Sequence, residues 1–261
     1  MRRKATVLAV AALLCATVAW AQGDEPESKD SPGKNTSDEV KRVHAATTAL
    51  NEIMESKDKG IHEKVIGSAK CVAVVPSMLK AGFVVGGRYG KGVASCRTTR
   101  GWSAPAPFTI AGGDWGLQIG GEAIDLVMLV MNEKGMRNLL NSKFKIGADA
   151  SASAGPIGRE ASADTDWKLR SEVLTYSRSR GVFAGITLNG AVVKQDNDET
   201  RVLYGKLIPF PEILTGKAAV PPGAEEFVAT VRKYTGEARE RGEADPPPPA
   251  PPGPSTNQPR Q

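Results

Sequence analysis

The stretch from Cys71 to Val93 constrains the fold more than any other part of this sequence. Two apolar runs flank Pro76, and four glycines follow them at positions 86, 87, 90 and 92. β-Branched residues favour extended strands, whereas glycine and proline favour turns. The stretch therefore predicts three short strands separated by two turns. Glycines at this density are also typical of places where a backbone or a ligand approaches closely.

The first residues predict an export signal. Arg2, Arg3 and Lys4 precede an apolar run, and Ala19-Trp20-Ala21 supplies a pattern of small residues suited to cleavage. The apolar run is shorter than the ~18 residues that a membrane-spanning helix needs, so a retained helix is the alternative rather than the main prediction. We expect residues 1–21 to be a signal peptide that is cleaved after Ala21. The mature protein would then reside in the periplasm or cell envelope.

Two segments of biased composition flank a predicted domain at residues 37–235. Residues 22–36 are rich in Glu, Asp, Ser, Pro and Gly and predict a disordered linker. Residues 236–261 contain eight prolines and predict an extended, disordered tail. The formal net charge of +5 suits an anionic surface such as lipid headgroups. It is far from the charge of a typical nucleic-acid-binding domain, so no nucleic-acid partner is expected.

The mature chain would keep two cysteines, Cys71 and Cys96. Each lies at the end of a predicted strand, and disulfides persist in exported compartments. A bridge requires Cα atoms within about 7 Å of each other. The sequence leaves open whether the two residues form a disulfide or pack as two buried thiols.

An amphipathic helix is predicted from Ser37 to Lys57, where apolar residues recur at helical spacing. Thr36 and Glu39 have the spacing of a capping box at its start. Such a helix can pack on the domain or lie in a membrane interface. Acids are mixed with the bases on its polar face, which favours packing.

Three further elements are predicted from local patterns. The run of six apolar residues within Asp125 to Met131 is typical of a central strand buried on both faces. Asn189-Gly190 predicts a β-hairpin that joins residues 182–188 to residues 191–194. A last amphipathic helix is predicted from Pro222 to Tyr234.

No catalytic signature is present in the sequence. It lacks G-x-S-x-G, a phosphate-loop lysine, H-E-x-x-H and C-x-x-C. The glycine-rich segment Gly87–Gly92 is followed by a predicted strand, whereas a dinucleotide loop needs a helix there. Acid–base chemistry would fall to carboxylates such as Asp114 and Asp125, which are usually turn formers or solvated groups. The sequence therefore predicts a protein that is not an enzyme and that needs no metal or cofactor.

Five segments together resemble the SYLF lipid-binding domain family, in the order expected for it. They are Ala69–Pro76, Lys80–Val93, Trp102–Pro105, Gly116–Gly120 and Ser179–Gly190. The resemblance runs from about Val40 to Leu214. It implies a single domain of the α+β class, with a mainly antiparallel β-sheet and packed amphipathic helices.

The resemblance also implies binding to lipid or to a membrane surface rather than catalysis. Eukaryotic members of the family bind phosphoinositides and some bind actin, whereas bacterial members are exported. The candidate contacts to anionic phospholipid headgroups are the basic residues within the matched segments: Lys70, Lys80, Arg88, Lys91 and Arg180. Cys71 stands where the family usually has glycine, and the predicted first helix carries several acids, so phosphoinositide specificity does not carry over. The alternative is a cell-envelope structural or protein-interaction module, with a protein partner bound through the proline-rich tail.

Overall fold

The computed structural model describes residues 32–56, 60–83, 85–115, 120–156, 171–179, 182–184, 186 and 188–240. These residues belong to one compact unit. The predicted signal peptide, residues 22–31 of the predicted linker and residues 241–261 of the predicted tail lie outside the described residues. Arg180 lies outside them as well.

The order of elements is that of an α+β protein, as the sequence predicts. The helices are α1 (Pro32–Met54), α2 (Glu63–Gly67), α3 (Glu133–Leu140), α4 (Asn197–Tyr204), α5 (Phe210–Leu214) and α6 (Glu225–Glu240). The strands are β1 (Cys71–Phe83), β2 (Val85–Thr98), β3 (Gly101–Trp102), β4 (Ala106–Trp115), β5 (Gly120–Val130), β6 (Lys143–Lys145), β7 (Ala152–Ala154), β8 (Val173–Ser179), β9 (Val182–Ala184) and β10 (Val192–Gln195).

The strands form one sheet in the order β6-β10-β4-β2-β1-β5-β8-β7, with β3 beside β2 and β9 beside β8. The pair β7–β8 is parallel, and the other described strand pairs are antiparallel. Each face of the sheet packs its own apolar core. The face that packs against α1, α2 and α6 is called the helix face here, and it includes Val72, Val74 and Val127. The opposite face packs against α3 and α5 and includes Phe108 and Leu126.

The stretch from Cys71 to Val93 lies in two long strands, so the prediction of three short strands is wrong. Strand β1 continues through Pro76 because a β-bulge accommodates the proline. Val74 and Leu79 pair with Val93 and Tyr89, so β1 has one residue more than β2 between these pairs. At the bulge Ser77 has a φ of +50°, and its backbone N–H donates a hydrogen bond of 2.9 Å to Asp125 Oδ1.

Two glycines of β2 serve close packing rather than turns. A Cβ atom on Gly92 would lie 2.2 Å from the backbone oxygen of Val74. A Cβ atom on Gly90 would lie 2.5 Å from Cγ1 of Val75. Both distances are far below van der Waals contact. The bulged part of β1 can therefore pack this closely against β2 only because positions 90 and 92 are glycines without a side chain.

A disulfide joins the two central strands. Cys71 and Cys96 are direct partners in the β1–β2 pairing, their Cα atoms are 4.0 Å apart and their sulfur atoms are bonded. Both residues are fully buried in the core of the opposite face. Of the two states that the sequence leaves open, the structure contains the disulfide.

Helix α1 begins at Pro32, five residues before the predicted start. Proline is tolerated in the first turn of a helix, because a backbone N–H at that position would have no hydrogen-bond acceptor within the helix. Thr36 and Glu39 therefore lie inside the helix, and the predicted capping box is wrong. Val43 and Leu50 are buried in the core of the helix face, so in this structure α1 packs on the domain. Among the described helices none is long and apolar enough to cross a bilayer.

The predicted hairpin at Asn189-Gly190 is wrong, although the chain does turn there. Gly190 has a φ of +83°, and the Ala191 N–H donates a 2.9 Å hydrogen bond to the Leu188 oxygen. Strand β9 nevertheless pairs with β8, whereas β10 pairs with β4 and β6. The dipeptide specifies the turn, but longer-range packing selects the partners. The predicted central strand lies in β5, with buried residues from Leu126 to Val130 between β1 and β8.

Candidate functional site

The part of the helix face beyond the β1 bulge is exposed. Leu79 and Tyr89 are paired across β1 and β2, and their relative exposures are 59% and 48%. Their in-register neighbours on β4 and β5 are Ala111 and Ala123. The next row contains only small residues, and every residue of both rows is exposed. We call these eight residues the distal face: Leu79, Ala81, Gly87, Tyr89, Ala111, Gly113, Gly121 and Ala123.

The composition of the distal face makes it apolar. Two large side chains rise from a floor of alanine and glycine, and none of the eight residues carries a charge. Leu79 and Tyr89 are two of the three large apolar residues that are exposed in the described part of the chain. Contiguous exposed apolar surface in a folded protein marks an interaction site more often than scattered single residues do.

Three lysines lie on the same side of the sheet, at its β6–β10 edge. Lys145 pairs with Val192, which pairs with Ala111 of the distal face. Lys194 pairs with Lys143. In-register partners point to the same face, so the three ammonium groups flank the distal face. Tyr89 and Lys145 are three strand spacings apart, roughly 14 Å.

The three lysines are available for external contacts. All are exposed, and within the described residues none has a carboxylate at ion-pair distance. An apolar surface flanked by cations that have no partner among the described carboxylates is complementary to a surface that offers anionic groups above an apolar layer. This combination can act in binding.

The basic residues predicted from the sequence are dispersed in the structure. Lys80 pairs with Arg88 and Glu122, and it lies on the opposite face because side chains alternate along a strand. Arg88 is only 4% exposed. Lys70 lies before β1, and its ammonium is 3.5 Å from Glu133. The five candidates therefore do not form one patch among the described residues, and Arg180 lies outside them.

Lys91 is held in a network of charges under α1. Its ammonium is 2.8 Å from Glu199 Oε1 and 2.9 Å from Asp196 Oδ2. Arg42 of α1 contacts both oxygens of Glu199, at 3.0 and 3.1 Å. The Glu199 side chain is 4% exposed, so this carboxylate is largely removed from water. The network joins α1, β2 and α4, and Lys91 acts as an internal counter-ion within it.

The pKa values follow from these contacts. Burial lowers the pKa of Lys91, but hydrogen bonds to Glu199 and Asp196 outweigh burial and hold the pKa above its ordinary value. Burial raises the pKa of Glu39 on α1, and the nearby Glu199 charge adds to the increase, while its backbone hydrogen bond and Arg42 oppose it. Lys91 therefore stays charged across physiological pH.

We expect Lys91→Met to destabilise the fold without weakening a surface contact. Breaking a buried ion pair costs about 3–5 kcal/mol. In the variant, Glu199 retains its ion pair with Arg42, and Asp196 still accepts the hydrogen bond of 3.0 Å from the Glu199 N–H. We therefore expect the free energy of unfolding to fall by about 2 kcal/mol. Urea unfolding of the mature protein measures the change. An unchanged midpoint would show that the network contributes little to stability.

The flanking lysines and the two large apolar residues were not predicted as site residues. Lys143 and Lys145 flank the buried Phe144, and this alternation shows that the lysines point away from a core. Leu79 and Tyr89 sit beside the predicted Lys80 and Arg88 in the same way. Local alternation could have separated the two faces of each strand. The order of the strands, which brings β6 and β10 close to β2, is not visible in the sequence.

The region that contains the distal face is similar in sequence to known proteins. A family model described as "Ysc84: Las17-binding protein actin regulator" matches residues 111–234. Protein YSC84 of Saccharomyces cerevisiae is 36% identical over 175 residues, which cover 66% of this chain. The rat SH3 domain-containing YSC84-like protein 1 is 32% identical over 213 residues, or 80% of this chain. This chain belongs to the SYLF (Ysc84) domain family.

The SYLF relatives are longer than the region they share with this chain. The matched segment covers 37% of yeast YSC84 and 62% of the rat protein. A third relative, LAS seventeen-binding protein 3 of yeast, is 31% identical over 196 residues, which are 74% of this chain and 42% of that protein. By name, the rat protein contains an SH3 domain and the third relative binds Las17.

Proposed function

We propose that this SYLF protein is an exported, non-catalytic protein that binds the surface of an anionic membrane. The observation that carries the proposal is the distal face, where Leu79 and Tyr89 are exposed among alanine and glycine. Lys143, Lys145 and Lys194, which have no ion-pair partner in the described part of the chain, flank it. Leucine and tyrosine would enter the interfacial layer of the bilayer, where amphipathic rings and aliphatic chains are favoured. The lysines would contact anionic phospholipid headgroups.

The shape of the distal face supports a membrane rather than a small soluble ligand. Small-molecule sites are concave and enclose most of their ligand, whereas all eight residues of the distal face are exposed among the residues that the structure describes. Its width from Leu79 to Lys145 is four strand spacings, or roughly 19 Å. A bilayer surface can contact all of that width at once.

Absence of catalysis and export are parts of the same proposal. The sequence offers two carboxylates as acid–base groups, Asp114 and Asp125. The Asp125 carboxylate accepts a hydrogen bond from the Ser77 N–H and so stabilises the β1 bulge. The side chain of Asp114 is not among those that the structure describes. Export rests on the pattern of residues 1–21. Secretion of a reporter fused to these residues, with cleavage after Ala21 found by amino-terminal sequencing, tests it.

The proposal predicts binding that salt weakens. The mature protein should co-sediment with phosphatidylglycerol vesicles and much less with phosphatidylcholine vesicles. Raising ionic strength from about 0.1 M to about 1 M shortens the screening length from roughly 10 Å to 3 Å, so binding should fall. Absence of binding to any anionic vesicle at low salt would contradict the proposal.

Lys194→Gln should weaken vesicle binding about fivefold, since one lysine near an anionic surface contributes about 1 kcal/mol. Lys206→Gln is the matched control, because Lys206 is also exposed but lies after α4. Equal affinities of the two variants would argue against a role for the β6–β10 edge. Vesicle co-sedimentation at low salt measures both.

A protein-interaction module is the second candidate, favoured by the name of the Las17-binding relative and by the proline-rich tail of this chain. Proline-rich segments are recognised as extended polyproline helices by aromatic-lined grooves. Deleting residues 236–261 separates the two candidates. Vesicle binding should survive the deletion, whereas binding of a protein partner through the tail should be lost.

A further inference from the structure

A groove of about 590 Å³ opens between α4, α5 and the segment that leads to α6. It lies where the two cores of the domain meet. Leu203 belongs to the core of the helix face and Ile208 to the core of the opposite face. Tyr204 and Val220 pack against both cores. Residues of both cores therefore form part of the lining of the groove, which is remote in sequence from the distal face.

Nine of the thirteen residues that line the groove are aliphatic residues or prolines: Leu203, Leu207, Ile208, Pro209, Ala218, Ala219, Val220, Pro221 and Pro222. Polar and apolar atoms contribute about equally to the surface of the groove. Tyr204 is the aromatic residue among the lining residues, and its hydroxyl donates a hydrogen bond of 2.7 Å to the Pro105 oxygen. Leu207 is 44% exposed, which is unusual for a large apolar side chain in the described part of this protein.

The charged residues of the groove are two lysines and one glutamate. Lys206, Lys217 and Glu212 line it and are all exposed. Within the described residues neither ammonium is paired with a carboxylate. The groove thus offers aliphatic side chains together with a net positive charge.

We propose that this groove binds a single aliphatic chain with an anionic head, such as a long-chain fatty acid. The volume lies within the range of about 300–1,000 Å³ of small-molecule sites. The aliphatic walls suit methylene groups, and Lys206 and Lys217 suit a carboxylate or phosphate. A proline-rich segment fits less well, because polyproline helices dock against several aromatic rings and the groove has one. This binding is separate from membrane-surface binding and does not depend on it.

A chain-length series tests the fit of the aliphatic part. Saturated fatty acids from octanoate to stearate are titrated into the mature protein below their micellar concentrations, and heat is measured. Each methylene that enters the groove should strengthen binding about fourfold, and the gain should stop once the groove is full. Absence of saturable one-to-one binding, or affinity that does not change with chain length, overturns the proposal.

Two variants locate the binding. Leu207→Asp places a charge among the aliphatic walls at an exposed position, so it should weaken palmitate binding at least tenfold (roughly 1.4 kcal/mol) without unfolding the protein. Lys206→Glu combined with Lys217→Glu should weaken palmitate binding but not binding of the uncharged alcohol of equal length. Unchanged palmitate binding in Leu207→Asp, or equal losses for acid and alcohol in the lysine variant, overturns the assignment.

Cross-controls keep this inference distinct from the membrane proposal. Leu79→Ser should leave palmitate binding unchanged, and Leu207→Asp should leave vesicle binding unchanged. Loss of palmitate binding in Leu79→Ser would place the fatty acid on the distal face and overturn the groove. A synthetic peptide of residues 246–259 serves as the rival ligand, and binding of this peptide but not of palmitate would also overturn it.

Discussion

Replacing both Leu79 and Tyr89 with serine should weaken binding to phosphatidylglycerol vesicles roughly 50-fold. Full burial of such a side chain contributes about 1.5–3 kcal/mol. Because each is already about half covered in the folded protein, we expect about 1–1.5 kcal/mol from each on the membrane. The two losses should nearly add, since both remove apolar area from one contact. Vesicle co-sedimentation over a range of lipid concentrations measures the affinity.

Leu207→Ser is the matched control for this variant. Leu207 is exposed to a similar extent, 44%, but it lies in the groove beside α4 rather than on the distal face. Its substitution should leave vesicle affinity unchanged. The double serine variant should also keep the thermal midpoint of the wild type, because exposed side chains contribute little to the core. If it binds vesicles as tightly as the wild type, the distal face is not the membrane contact.

Removing the disulfide with Cys71→Ala and Cys96→Ala should lower the free energy of unfolding by about 3.5 kcal/mol. The two cysteines are 25 residues apart in sequence, and the cross-link removes the corresponding loop entropy from the unfolded chain. The pair also lies in the core between β1 and β2, so its loss leaves two smaller side chains at a central position. Urea unfolding under oxidising conditions measures the difference.

Reductant supplies an internal control for the disulfide. Dithiothreitol present during unfolding should destabilise the wild type by a similar amount, because the unfolded chain loses its cross-link. The alanine variant should not respond to it. A wild type that is equally stable with and without reductant would show that the mature protein does not depend on this bond.

Much of the fold could be predicted from local patterns. The buried strand β5 follows from its run of six apolar residues, and α3 begins after Asn132, whose side chain accepts a hydrogen bond from the Gly135 N–H. These two elements depend on residues within a few positions of one another, whereas the α+β class is implied by the resemblance to the SYLF family. The predicted turn at Pro76 failed because the bulge depends on Asp125, which is 48 residues away.

The candidate site could be predicted less well, for the same physical reason. Lys91 looked like a surface cation, but its role depends on Glu199, 108 residues later in the chain. The sequence does not indicate Lys145 and Lys194 as site residues, because their position on the same side of the sheet as Tyr89 depends on the order of β6, β10, β4 and β2. Residue type indicates what a side chain can bind, but strand order decides which side chains share a surface.

The bulge in β1 also determines which residues the sheet presents beyond it. Because side chains alternate along a strand, one extra residue exchanges the two faces for everything that follows. If the same residues alternated regularly from Val74, Leu79 would pair with Arg88 on the opposite face, and Lys80 would lie on the helix face beside Gly87. The bulge absorbs the extra residue and restores the pairing of Leu79 with Tyr89. The apolar character of the exposed face therefore depends on this one irregularity of the backbone as well as on the residue types of the strand.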